Sequence, residues 1–393
     1  MRKIHWFFLL IIFIVIILGF IFLFSRKKTF FYFDGVVSID KNDTKYVAVG
    51  YNNDNDLHYN KAKLTMYDTD KNKLFEKLYN VGIKSNFNDV IFDDNDIVVV
   101  GNYVKKKELK KSYATGVIVK YDSKGNIIFE KSYHKYSFTT FNSIYNFNDY
   151  YFVVGQSFSS NEGGAILLKI DKEGNIIWEK YSDKGKNSIY QDLIIVDNSI
   201  YVVGGYDNKG IIDKYDLDGN YLTGSLYDNI DKDGFTDIVS DQSSIYVVGA
   251  TLSDNSSSSA LIVKYNMDCE FEKETLYHND GLTKYYKLIM DEDSLITIGS
   301  ITIKNKNKKE ETIHNGVIGK YNLDIEEISV SVNEDERDDF FKDIFIENNN
   351  YIVVGYSAYE DGNYYSKFIR FSDALKVLLL LFTSLYSVST KFW

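Results

Sequence analysis

The chain has 393 residues, with 45 Lys and Arg against 56 Asp and Glu, a formal net charge of −11 and a single Cys. An acidic body repels phosphate backbones, so nucleic acid is excluded as an expected partner. One thiol permits no internal disulfide, and the fold has to be held by its core.

Trp6 to Phe24 is an uninterrupted apolar run of 19 residues between Arg2-Lys3 and Ser25-Arg26-Lys27-Lys28. At about 1.5 Å per helical residue it is long enough for a bilayer core of about 30 Å. A cleavable signal peptide would have a shorter apolar core and a small-residue cleavage site. Residues 1–28 therefore read as a cytoplasmic stub and an uncleaved transmembrane signal anchor. Residues 29–393 read as a body outside the cell, on a single-pass protein of the cell membrane. The first 28 residues hold five basic and no acidic side chains, which leaves the body at −16.

The body repeats. KYVAVG at Gly50, DIVVVG at Gly101, YFVVG at Gly155, IYVVG at Gly204 and Gly249, LITIG at Gly299 and YIVVG at Gly355 recur at intervals of 51, 54, 49, 45, 50 and 56 residues. Each unit holds four strand-like pieces, plainest in unit two as NDVIFD, DIVVVG, GVIVKYD and NIIFEKSY. Short polar turns such as Asp94-Asn95 join the first two pieces. Turns such as Ser123-Lys124-Gly125-Asn126 join the last two, where Gly supplies the positive φ of a tight hairpin. Fourteen residues before each strand-end Gly stands a bulky apolar group (Val36, Phe87, Phe141, Tyr190, Phe235, Tyr285, Phe341), followed three residues later by an aliphatic. Runs apolar on both faces suit stacked sheets, and Val, Ile, Tyr and Phe dominate them over helix formers. Four strands at a period near 50 predict an all-β fold: a seven-bladed β-propeller of four-stranded antiparallel blades, preceded by one N-terminal transmembrane helix.

With its V-V-G, K-Y-D and G-N-x-x-W elements, the last at Gly174 to Trp178, the chain resembles bacterial β-propeller repeat proteins. Gly204-Gly205 followed by Tyr206 is similar to a kelch strand, and quinoprotein enzymes share the ring shape. The resemblance spans Phe33 to Phe382 and implies the fold, not an activity. In unit seven, Val377 to Phe382 is expected to form the outer strand of the last blade; no strand exchange between the termini is obvious, and how the ring closes stays open.

Antiparallel strands place the short turns on one face and the long, variable connections on the other, where binding usually resides. Those connections carry lysine runs at Lys105–Lys111 and Lys304–Lys309, tyrosines such as Tyr206, and scattered His residues without metal-ligand spacing. Twelve residues before each strand-end Gly comes Ser38, Asp89, Ser143, Asp192, Asp237, Lys287 or Asp343. A first strand that lines the central channel makes these a ring. Its carboxylates suit a hard cation such as Ca²⁺ or a sugar, or else accept hydrogen bonds from backbone amides at strand starts. No catalytic constellation stands out. Asp228 to Gly234 has the look of a calcium loop but lacks its twelfth-position Glu. The reading is a non-catalytic binding or scaffolding module for a protein or carbohydrate ligand. The alternative is an extracellular polysaccharide-acting enzyme using the channel-mouth carboxylates as acid and base.

Overall fold

Strands form in every described unit where the strand formers predict them. The computed structural model describes residues 28–372, apart from short segments at 31–34, 53–59, 107–111, 229–231, 253–257, 280, 305–311, 334–338 and 359–363. Trp6 to Phe24, Val377 to Phe382, most of both lysine runs and the centre of the Asp228 to Gly234 segment lie outside the described residues. No helix among the described residues is long and apolar enough to cross a membrane.

Unit one shows the plan. Val36–Lys41, Lys45–Asn52, Lys61–Asp68 and Lys73–Tyr79 pair in that order, each antiparallel to the next. The same order repeats in units at 84–133, 138–181, 188–227, 232–277 and 282–333. A seventh unit supplies three strands, Asp339–Glu347, Asn350–Ala358 and Tyr364–Ser372. The sheets stand face to face, and each interface holds its own core. One such core joins Val47, Val49 and Leu64 of unit one to Phe87, Val90 and Val99 of unit two. Another joins Val36, Ile39 and Ala48 of unit one to Ile352 and Val354 of unit seven, so the first unit packs on the last.

Ring closure, left open by the sequence, uses the N-terminal segment. The place beside Tyr364–Ser372 is taken by Lys28–Phe30, with Lys28 opposite Ile369 and Phe30 opposite Lys367. The termini do exchange a strand. A third strand left at the edge of the last sheet would present unpaired N–H and C=O groups, and pairing with the N-terminal segment covers part of that edge. Three residues carry no repeat signature, so periodicity passes over them.

The strand-end glycines have one cause. In all seven units the first and second strands shift register between the residues 14 and 12 places before the Gly, a β-bulge. The bulge brings a first-strand carbonyl under the Gly Cα. A Cβ at Gly50, Gly204 or Gly355 would strike the backbone oxygen of Gly35, Ile189 or Phe340. Any larger residue forces the two strands apart.

Candidate functional site at the inner strands

The bulge also decides where the predicted ring residues point. Each is the first residue after it, turned toward the neighbouring unit. Asp89 accepts from its own Val90 N–H at 2.9 Å and from Ile144 N–H of the next unit at 2.9 Å. Asp343 accepts from Ile344 N–H at 2.8 Å and, across the closure, from Ile39 N–H at 2.8 Å. Asp237 accepts from Leu288 N–H at 2.5 Å. These carboxylates are acceptors for backbone amides, as one of the two readings held, but the amides they serve include those of the following unit. They tie sheet to sheet.

Side chains link the ring laterally. Ser38 donates to Asp89 at 2.8 Å, and Ser143 lies at 3.0 Å from Asp89 and 2.6 Å from Asp192. Asp192 and Asp237 lie close enough for each to act on the other's charge. Lys287 donates to Asp237 at 2.9 Å, and that carboxylate side chain is only 4% exposed. Burial pulls the Lys287 ammonium down, but Asp237, Asp192, Asp343 and Asp89 outweigh it and hold it well above the usual lysine range. Burial raises Asp89, and it raises Asp343 to about 6 against the pull of Lys287. Asp237 is held well above the usual carboxylate range, first by burial and, among the charges, by Asp192 working against Lys287.

The ring thus brings its own cation. No group of three or more His, Cys, Asp or Glu side chains among the described residues is placed to hold a metal ion. Lys287 supplies the positive charge that the carboxylates demand, and its neighbours' remaining lone pairs face amides and hydroxyls. Tyr206 stands elsewhere, half-buried against the core between units three and four, at the long-connection rim. Cys269 sits in the turn between the third and outer strands of unit five, 2% exposed, its thiol pushed up to about 12 by burial.

Sequence reasoning missed the residue inside the bulge and the one just before it. Thirteen places before the Gly, Asn88 donates to Phe141 C=O at 2.7 Å, Asn142 to Tyr190 C=O at 2.8 Å and Thr236 to Tyr285 C=O at 2.9 Å. These are further ties from each unit to the next. Fifteen places before the Gly, Thr140 donates to Asn102, the residue just after the preceding unit's Gly, at 3.3 Å. Positions −15, −13 and +1 thus converge where the first two strands meet the long-connection face.

There the units stop resembling one another. Units two and three carry amides and a hydroxyl (Asn86, Asn102, Thr140, Gln156), unit four Ile189, Gln191 and Gly205, unit five Gly234, Thr236 and Ala250, and units six and seven mostly lysines and rings. In the last group Lys342 Nζ stands 4.1 Å from the centre of the Tyr286 ring, 5.7 Å from Tyr356 and 5.8 Å from Phe340. Lys284 Nζ is 5.4 Å from the Tyr286 ring. Phe340 lies between His314 at 4.7 Å and Tyr356 at 5.0 Å. The signal available in the sequence is variation at fixed offsets from the Gly.

No protein-family model matches the sequence, and no curated protein does. Among solved structures, Sqt1 from Chaetomium thermophilum is similar at a TM-score of 0.52 and 9% identity, over 88% of this chain and 99% of that one. The β-propeller domain of the trilobed protease from Pyrococcus furiosus is similar at 0.47 and 11%, over 86% and 94%. Polysaccharide lyase Uly1 is similar at 0.49 and 8%, over 85% and 88%. At such identities the likeness shows the fold alone, a β-propeller.

Proposed function

We propose that the chain is a membrane-anchored, extracellular, seven-bladed β-propeller acting as a non-catalytic binding or scaffolding module, with a protein or glycan ligand on its long-connection face. The observation that carries this reading is the contrast between two sets of positions. The ring offset carries a polar or charged residue bonded to a neighbouring unit in every case, whereas the residues at −15, −13 and +1 range from Gly and Ala through amides to Lys and aromatic rings. A rigid scaffold that gives up its regularity at one place is arranged for recognition.

Two observations support an orientation with that face away from the bilayer. Lys28–Phe30 runs from the short-turn face toward the long-connection face, so Lys28, the end next to the apolar run in sequence, lies on the short-turn side. On that side, just after each turn into an outer strand, stand exposed apolar residues, among them Leu74, Ile127, Ile128, Ile176 and Leu222, each about half exposed. With only Ser25 to Lys27 between the apolar run and the sheet, this rim comes within reach of a membrane interface. The orientation is tested in a Cys269→Ser background on intact cells with a membrane-impermeant maleimide. Lys186→Cys on the long-connection side is expected to label, and Asn175→Cys on the short-turn side to label more slowly. Labelling of neither until lysis would place the body inside.

A second reading, an extracellular polysaccharide-acting enzyme, has the crowding of Asp192 and Asp237 in its favour, since a crowded pair sets one carboxyl up as an acid. Against it, Asp237 is committed to Leu288 N–H and Lys287, and Asp192 to Ser143. Incubation of the full chain with a polysaccharide panel decides between them. Release of new chain ends that Asp192→Asn abolishes would establish the enzyme, and no release with measurable binding the module.

A further inference from the structure

The strand pair that carries Gly101 outreaches its neighbour. In unit one the paired second and third strands end at Asn52 and Lys61, soon after Gly50. In unit two the same ladder runs on to Lys106 and Ser112. Side chains directly opposite in an antiparallel pair share a face, as do those two apart along a strand. Tyr103 and Lys105 therefore stand on one face with Thr115 and Tyr113, and Ser132 of the outer strand joins them opposite Val117. Deeper in, that face packs on unit one through Val99, Val117 and Val119. Where the ladder of unit one stops, it bounds a cleft of about 510 Å³, whose lining His134 and Tyr136 complete from the connection to unit three. Each of these lining residues is among those the structure describes.

The lining is held in place. Tyr103 Oη lies 3.1 Å from Ser132 Oγ, and the Tyr103 ring packs on Tyr79 at 6.4 Å. Tyr136 meets Tyr181 in a T-shaped contact at 5.7 Å. Groups fixed in this way lose little freedom when a ligand arrives. The chemistry of the lining is also one-sided. Three tyrosines, two further hydroxyls and two basic side chains face the cleft and no carboxylate does, in a chain whose acids outnumber Lys and Arg by 56 to 45. Lys105 is exposed, its Nζ 5.2 Å from the centre of the Tyr103 ring, and no carboxylate among the described residues pairs with it.

We propose that this cleft binds an acidic saccharide, its hydroxyls on the Tyr103–Ser132 pair and Thr115, a sugar face against the half-buried Tyr113 and Tyr136, and its carboxylate or sulfate at Lys105 and His134. This names a site on the long-connection face and rests on the reading above. Rings and hydroxyls match the faces and edges of sugars. The anchor of a peptide would find Ala114 as the sole aliphatic group of the lining, and a nucleic acid would bring a run of phosphates against an acidic body.

The test is calorimetric titration of the full chain in detergent with tetragalacturonate, a sulfated tetrasaccharide, a neutral tetrasaccharide, hexaglutamate and a thymidine tetranucleotide. One or both acidic sugars are expected to bind, and the other three at least about tenfold more weakly. Lys105→Met should weaken acidic-sugar binding about tenfold or more, as loss of a charge-assisted hydrogen bond does, and Lys105→Arg should stay within about threefold of wild type. Tyr136→Ala should weaken it about three- to tenfold. Ser132→Trp, at an exposed position, should fill the cleft and abolish binding while the melting temperature holds. Diethyl pyrocarbonate gives a readout that needs no variant. It should modify exposed His134 and His278 alike in the free protein, and a bound acidic sugar should protect His134 alone. Equal binding of the neutral sugar, the peptide or the oligonucleotide overturns the inference, as does no binding of either acidic sugar. So does acidic-sugar binding that is indifferent to Lys105→Met and Ser132→Trp and leaves His134 reactive. If the bound sugar then protects His278, at the same face of unit five, the long-connection face keeps its role and this cleft loses it.

Discussion

Asp343 shows how a single side chain serves the closure of the ring. It accepts from Ile344 in its own unit and from Ile39 in the first, so its loss leaves two buried N–H groups unsatisfied. Asp343→Ala is expected to cost about 2–3 kcal/mol in urea unfolding, the scale of an uncompensated buried polar pair. The pH dependence follows from its raised value of about 6. The folded state binds this proton more tightly than the unfolded chain does. The stability Asp343 contributes is therefore fully present below the ordinary carboxylate value and falls as pH rises through 6. The gap between wild type and Asp343→Ala should narrow from pH 4 to pH 7, and a widening gap would contradict this assignment. Cys269 makes the complementary case of a group that burial silences. With its thiol at about 12 and 2% exposed, it should resist a thiol reagent at pH 8 in the native protein and react within seconds once urea unfolds the chain.

Between residue and ring, the elements fit each other in pairs. The turn from third to outer strand needs a residue at positive φ, and units two, three and four put Gly125, Gly174 and Gly219 there. A Cβ at these glycines would strike Phe75, Phe129 and Trp178 or the lysines beside them on the preceding unit's outer strand. Units five and six use Cys269 at φ 61° and Ile325 at φ 53°. Their preceding outer strands carry Thr223 and Lys273 at the same place, so a side chain fills the space that a ring fills elsewhere. Cys269→Gly should relieve the backbone yet open a cavity, and is expected to lower stability by about 1–2 kcal/mol, with Thr223→Phe in the same chain recovering part of it. The closing strand makes a prediction at this scale too. Removing residues 1–31 exposes the edge of Tyr364–Ser372, and the truncated chain should melt several degrees lower and aggregate from that edge. An unchanged melting temperature would show that Lys28–Phe30 adds nothing to closure.

For the molecule as a whole, the stacked sheets concentrate their structural ties at one place. The carboxylate and amide ties between sheets run round the inner strands, and Lys287 balances the charge they concentrate. Calorimetry of the full chain with millimolar Ca²⁺ is expected to leave its melting temperature unchanged, because the ring already contains a cation; a clear rise would mean that the carboxylates accept a metal beside Lys287. Lys287→Met removes the balance, and the crowded carboxyls should then make the protein more stable at pH 5 than at pH 8 by a wider margin than in wild type.

Much of this was legible along the chain. Hydrophobic runs of strand length, glycines at a fixed phase and turn residues between them specify four strands per unit, because backbone pairing and burial on two faces are local requirements repeated at a fixed period. The ring positions Asp89, Asp192, Asp237, Lys287 and Asp343 were found the same way, and the structure brings them together. Their partners were not legible, because a hydrogen bond from Ile39 to Asp343 spans 304 residues and exists only once the first sheet meets the last. The closing strand and the pairing of Lys284 with Lys342 around one tyrosine belong to the same class. Periodicity records what each unit must do for itself, whereas contacts between distant segments arise from the angle at which one sheet stacks on the next, which only the assembled ring sets.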